Sequence, residues 1–222
     1  MELSIVEPKV ELLTPISHLV DYEKLIELAG RNCYKSEENI TDFSAQKFIT
    51  GTIIKNGHLS VIEHCGVMYR IICSRATSHQ IVRHRIGSHY SQESMRYVDY
   101  GRRGYQIIIP PSIQQNPEMS EQFKESCIRD YQTYTKFRNE GVKPEDARFL
   151  LPHASKTELV MSCNLRQWRH VIEERALNNH AQWEIQGIMR DILYELSHYL
   201  PSFFNDLKDK LEAIIKPQMP EV

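Results

Sequence analysis

The stretch "GVMYRIIC" at 66–73 constrains this chain most, because it is aliphatic and aromatic almost throughout and reads as a buried strand. "TELVMSC" at 157–163 is a second strand candidate, and the opening "SIVEPKVELLTP" has the apolar alternation of a strand. Around these runs the period changes to that of helices. Short helical patterns fall near 21–31 and 42–55, the second ending at Asn56 and Gly57. A short helix is predicted at 76–85 and a long one at 120–139, stopped by Gly141. A shorter one is predicted after Pro144, whose missing N–H costs nothing in a first turn. "RYVDYGRRGYQIIIPP" should return the chain through extended structure to its prolines. Asn164 with Gln167 three residues on marks an N-cap, for a helix through about Leu177. Trp183, Ile185, Ile188, Ile192, Leu193 and Leu196 then form one apolar stripe over four turns. The expected class is α+β, a small antiparallel or mixed sheet flanked by helices. No internal repeat, low-complexity tract or Gly/Ser linker interrupts the 222 residues, so 1–222 is expected to be a single domain.

The polar chemistry is concentrated in the centre. Between Tyr69 and Tyr105 stand seven arginines, no lysine and only two acids, Glu93 and Asp99. A solvated mixed-charge surface is one reading. Arginine to the exclusion of lysine favours another, because its planar fork suits bidentate recognition of phosphate or carboxylate. On a helix over 76–85, Gln80, Arg83 and His84 would share a face at i, i+3 and i+4. Ser88, Ser91, Ser94 and Arg96 follow and add hydroxyls beside guanidinium groups.

Other chemistries fail on spacing. His58, His64, His79, His84 and His89 make no H-E-x-x-H and no paired Cys/His framework, so no metal site is expected. No G-x-S-x-G elbow, Walker loop or G-x-G-x-x-G is present. A net charge of −2 argues against a surface devoted to nucleic acid, although a basic module at 69–105 stays open as an alternative. No stretch nears the roughly 20 apolar residues of a membrane helix. The N-terminus has neither a basic n-region nor an apolar h-region, and the five scattered cysteines suit reduced thiols. The expected setting is cytoplasmic.

"RHRIGSHYSQES" resembles the signature of the flavin-dependent thymidylate synthases, R-H-R followed after seven or eight residues by serine. "NGHLSVIEH" and "AGRNCYKS" upstream resemble two further segments of that family. "GVKPEDARFLLP" and "NLRQWRHVIEERALNNHAQWEI" resemble its later blocks, in the same order. The resemblance implies methylation of dUMP to dTMP, with methylenetetrahydrofolate as carbon donor, NADPH as reductant and FAD as cofactor. It also implies a homotetramer with active sites between subunits. Carried over by motif position, Gln80, Arg83, Ser94, Arg96, Arg148 and Arg175 are dUMP ligands. Arg96 and Ser94 suit the phosphate, and Arg175 faces the pyrimidine ring. Cys33, Ser60, Arg83, His84, Arg85, Gln92, Asn164, Arg166 and His170 are the flavin set, and His58 organises folate or hydride transfer. Gln92 stands where many members have an acid, and His170 where some have Asn.

Several of these residues have a second reading. His58 could cap the preceding helix end. Arg148 could be an exposed helix arginine. Trp168 and Trp183 fall in apolar stripes and are expected in the core. No adjacent base would activate Ser94, so it reads as a phosphate ligand rather than a nucleophile. Cys33 and Cys163 lie near the motifs, but a cysteine nucleophile is not needed if a flavin carries the chemistry. A flavoprotein that binds a pyrimidine nucleotide without making dTMP is the second enzymatic reading.

Overall fold

The computed structural model describes residues 3–216, with the side chains of Arg102 and Arg103 left aside. Its strands are β1 (Leu3–Ile5), β2 (Lys9–Leu12), β3 (Gly66–Ser74), β4 (Ser88–Gln92), β5 (Tyr105–Ile107) and β6 (Lys156–Asn164). Its α-helices are α1 (Ile16–Leu19), α2 (Tyr22–Tyr34), α3 (Ser44–Phe48), α4 (Arg75–Ile81), α5 (Tyr100–Arg103) and α6 (Pro111–Gln114). After these come α7 (Pro117–Asn139), α8 (Pro144–Ala147), α9 (Leu165–Ile172), α10 (Trp183–Tyr199) and α11 (Pro201–Ile215). Four strands form a sheet in the order β2-β3-β6-β4, and β1 pairs in parallel with β5, Leu3 opposite Tyr105. The class is α+β, as expected.

The chain divides into two compact units. The first comprises Met1–Lys9, Ile71–Arg83 and Ser91–Leu159, and the second Val10–Arg70, His84–Tyr90 and Val160–Val222. In the first, α7 lays its apolar face on β5, and the core is unusually rich in tyrosine. Tyr105 stacks on Tyr131 at 4.8 Å, and Tyr131 lies nearly parallel to Tyr134 at 6.3 Å. Such rings bury large areas and carry a hydroxyl that usually finds a partner. Accordingly Tyr131 donates to the Tyr100 carbonyl at 2.7 Å, and Tyr105 shares a 2.6 Å hydrogen bond with Ser155.

In the second unit, Trp168 of α9 is fully buried, donates from Nε1 to the Val67 carbonyl at 2.9 Å, and meets Tyr69 edge-on. Helices α10 and α11 close this core with Ile185, Ile188, Ile192, Leu196, Phe203 and Phe204. Asn164 is the N-cap of α9, its Oδ1 accepting from the Gln167 N–H at 2.8 Å, as the sequence predicts.

Four expectations need correction, and one strand goes unpredicted. The helix predicted over 76–85 ends at Ile81, with Val82 as its C-cap, so Gln80, Arg83 and His84 do not share a helical face. Residues 88–92 are a strand despite their polar sequence, because β6 supplies a neighbour for the backbone. The extended return past Arg96 contains a helical turn, α5, capped by Asp99, which accepts from Gly101. Strand β3 alternates between buried and exposed residues rather than being buried throughout. Finally, Trp183 opens α10 with 37% of its surface exposed, while Trp168 is the core residue. The helices predicted to 55 and to 177 reach those ends by widening. Ile49–Ile54 and Glu173–Leu177 are π-helical continuations of α3 and α9, a form that recurs at functional sites.

Candidate functional site

The polar motif after α4 splits into residues that hold the fold and residues left available. Gln92 belongs to the first kind. Its Nε2 donates to Ser78 at 3.0 Å and to Thr157 at 3.3 Å, two hydroxyls that are themselves buried. Glu93 belongs with it. It accepts from Tyr100 at 3.0 Å and from the Glu158 N–H at 3.2 Å, and it lies 3.5 Å from the Lys156 ammonium. The Ser94 hydroxyl accepts from the Arg96 N–H at 3.3 Å, while its carbonyl takes the N–H groups of Tyr97 and Val98. This serine therefore caps a turn and keeps its own hydroxyl proton to donate. Arg96 is exposed. Its Nε and a terminal nitrogen lie 3.1 and 3.0 Å from one carboxylate oxygen of Glu145, and its guanidinium lies over the Tyr97 ring.

Also in the first unit, Arg148 anchors its Nε to the Glu145 carbonyl at 3.1 Å and lines a cavity of about 400 Å³. Arg75, His79 and His153 line the same cavity, with Met95 and Phe149 as apolar walls and no carboxylate in the lining. The two imidazoles meet edge-to-face at 5.6 Å. Burial lowers the His79 pKa, and the charges of Arg75, His153 and Arg83 push it the same way. This cavity is a cationic pocket without a built-in anion. Gln80 is half-buried on α4, and Arg83 is exposed just beyond it.

The second unit carries most of the remaining residues. Asn164, Arg166 and His170 stand at the cap and on the exposed face of α9, and Arg166 reaches Glu63 at 2.5 Å. Gly87, at φ +65°, packs against the Asn164 side chain. His84 is half-buried and meets His170 edge-on at 6.1 Å. Arg175, in the widened turn after α9, donates from Nε to His84 Nε2 at 3.0 Å. The His84 pKa is pushed down to about 4, by burial first and then by the charges of Arg175 and His170. Arg85 is exposed. Among the described residues, no ion pair involves Arg75, Arg83, Arg85, Arg148 or Arg175.

His58 caps with its backbone, not its ring. Its N–H closes on the Ile53 carbonyl at 2.9 Å, and its Nδ1 pairs with the Tyr34 hydroxyl at 3.1 Å. Ser60 is exposed on the short turn that follows. Cys33 is exposed, one residue before Tyr34. The buried thiols are not poised to react: burial pushes Cys65 and Cys127 to about 11 and Cys163 to about 12.

Of the sequence-derived sets, the nucleotide set falls in the first unit except Arg175, and the flavin set in the second except Arg83 and Gln92. Sequence reasoning missed Tyr34, Arg75, His79 and His153 as neighbours of the candidate residues. Tyr34 stood within a quoted motif and Arg75 within the arginine count, but neither spacing announces a partner. Among the described residues, no three His, Cys, Asp or Glu side chains converge to hold a metal ion, and no helix is long and apolar enough to cross a membrane.

Comparison with known proteins places the chain in a family. The profile of the family described as "Thymidylate synthase complementing protein" matches residues 15–202. A flavin-dependent thymidylate synthase from Geobacter sulfurreducens is 34% identical over 198 residues, 86% of this chain and 84% of that protein. The one from Thermococcus onnurineus is 41% identical over 148 residues, 65% of this chain and 60% of the relative's length. Among solved structures, the UMP/dUMP methylase PolB from Streptomyces cacaoi, bound with 5-Br dUMP, shares the fold with a TM-score of 0.77. It is 18% identical, and the match covers 93% of this chain and 97% of PolB.

Proposed function

The chain belongs to the thymidylate synthase complementing protein family, and from that premise we propose that it is a flavin-dependent thymidylate synthase converting dUMP to dTMP. In this reading methylenetetrahydrofolate gives the carbon, NADPH is the reductant and FAD is the cofactor. The observation that carries it is a set of guanidinium groups without acidic partners. Arg83, Arg85, Arg148 and Arg175 make no ion pair among the described residues, and Arg75 and Arg148 face a cavity whose lining has no carboxylate. A folded surface normally pairs or scatters such charges. Here dUMP and the FAD diphosphate would supply the anions.

The residues fit a flavin. Arg85 offers an unpaired cation, and Asn164, Arg166 and His170 present an amide, a guanidinium and an imidazole along one exposed edge of α9. When bound, the flavin supplies the hydride that turns the transferred methylene into a methyl group. The protein's part is to bind and to stabilise charge. Ser94 and Arg96 take the nucleotide phosphate, with Arg96 exchanging its exposed pairing to Glu145 for the dianion. Gln80, Arg83 and Arg148 complete the nucleotide set. Arg175 faces the pyrimidine, where a cation stabilises the negative charge that develops as the ring is activated. His58, with Tyr34 on its Nδ1, stands ready to organise folate or hydride transfer. Ser60 and Cys33 are smaller contributors on the flavin side. Gln92 belongs to the flavin set by motif position, and its side chain is tied to Ser78 and Thr157.

The working state is a cytosolic homotetramer with shared sites, and the five free cysteines support the setting. The test is conversion of labelled dUMP with methylenetetrahydrofolate and NADPH, with and without FAD. FAD-dependent dTMP is the expected result. No product from flavin-loaded protein would replace this reading with a flavoprotein that binds a pyrimidine nucleotide without methylating it.

A further inference from the structure

Arginines that must stay put are usually held by a carboxylate. Arg175 is held by an imidazole instead, Nε to His84 Nε2 at 3.0 Å. A guanidinium nitrogen can only donate, so the His84 Nε2 must carry a lone pair and its proton must sit on Nδ1. The ring is therefore neutral in this arrangement, since an imidazolium would set N–H against N–H.

The rest of the surroundings maintain that state. Tyr90 donates its hydroxyl to the His84 carbonyl at 2.6 Å and fixes the main chain behind the ring. The charged or titratable groups that act on the ring are Arg175, His170 and Glu174; the first two disfavour the imidazolium and only Glu174 favours it. Burial adds to the first two and outweighs them, so the ring stays neutral to about pH 4.

We propose that His84 is a positioning residue for Arg175, a neutral acceptor that fixes the guanidinium by its Nε without cancelling its charge and leaves both terminal nitrogens free for the nucleotide. A carboxylate would orient the same group more strongly, but it would offset the positive charge needed opposite a developing negative one. This rests on the proposed role of Arg175, and it gives His84 a task beyond touching the flavin.

The test uses flavin-loaded protein and five variants: His84→Ala, His84→Asn, His84→Asp, Arg175→Ala, and His84→Ala with Arg175→Ala. Three quantities are read: flavin content, dUMP affinity by calorimetry, and kcat with KM. His84→Ala should lower kcat per bound flavin, on the order of 100-fold as for other misplaced groups, beyond any loss of flavin content. Asn, a neutral acceptor, should recover much of that loss. Asp should hold the arginine yet stay slow. The double variant should be no worse than Arg175→Ala, because both changes remove one interaction. The difference in dUMP affinity between wild type and His84→Ala should close as pH approaches about 4, the value at which His84 takes up its proton, since protonation of the nucleotide phosphate near pH ~6 affects both alike.

Losses that multiply, or a His84→Ala protein with wild-type kcat, would overturn the inference. So would loss of flavin with nucleotide affinity intact, which would return His84 to a flavin contact. The calorimetric cycle separates this from the parent reading. Wild-type protein that makes no dTMP sinks the proposed activity, while coupled dUMP affinities of the two residues would still uphold the pairing.

Discussion

Arg169 is only 5% exposed and carries a full charge, so its neighbours must account for the cost of burying it. They do so with Asp206, whose two oxygens accept from the two terminal nitrogens at 2.7 Å each, and with the Phe203 carbonyl. Burial alone would raise the Asp206 pKa. The hydrogen bonds and charge of Arg169, with Lys210, outweigh it and hold the carboxyl below its ordinary value. A depressed carboxylate stabilises the fold at pH values above its unfolded pKa near 3.8, and that contribution is lost as pH falls through the lower folded value. Asp206→Asn leaves the guanidinium buried and unpaired, which should cost about 3 kcal/mol in urea unfolding at pH 7. The difference from wild type should shrink in acid. A difference that persists undiminished as the pH is taken well below the unfolded value near 3.8 would mean that it does not come from the ionised pair. Arg148 shows the opposite case, a guanidinium facing a cavity rather than a carboxylate. Arg148→Ala should leave the urea midpoint nearly unchanged while weakening dUMP by roughly tenfold or more, the worth of one charged hydrogen bond. A large loss of stability with normal dUMP affinity would make it a structural helix arginine.

At the scale of elements, α9 is where the sequence speaks most directly. Its cap was legible because an Asn-to-Gln spacing is local chemistry, and the observed bond is the predicted one. Its surroundings were not. Gly87 lies far away in sequence, yet a Cβ there would meet the Asn164 amide nitrogen at 2.8 Å, and its φ of +65° disfavours any side chain. Gly87→Ala should therefore cost about 2 kcal/mol, and Asn164→Ala about 1 kcal/mol. Together they should cost less than the sum, because both disturb one contact; strict additivity in a thermal unfolding cycle would separate them. The misread elements share this cause. Residues 88–92 lack strand propensity and gain their structure from β6, while no local signal in the sequence marks the end of the helix after β3 at Ile81. The two π-helical stretches leave no mark in the apolar spacing. Likewise the family motifs located Arg175 and His84, but only the fold reveals that one holds the other.

For the whole molecule, the open question is whether two compact units mean two domains. The boundaries between them fall at 9/10, 70/71, 83/84, 90/91 and 159/160, and all but 83/84 lie inside a strand of the four-stranded sheet. Unfolding either unit alone would end those four strands in mid-run, with none of the linkers that normally separate independent domains. We therefore expect one cooperative transition. The cysteines provide the probes. Cys73 and Cys127 are buried in the first unit, Cys65 and Cys163 in the second, and Cys33 is exposed as a control that labels in the native state. Thiol alkylation at increasing urea, read peptide by peptide in a mass spectrometer, should give one midpoint for all four buried cysteines. If Cys127 is labelled at a distinctly different urea concentration from Cys163, the units unfold separately and the chain has two domains. Coincidence would mean that the two units are one cooperative domain, holding the residues proposed for nucleotide and those proposed for flavin alike.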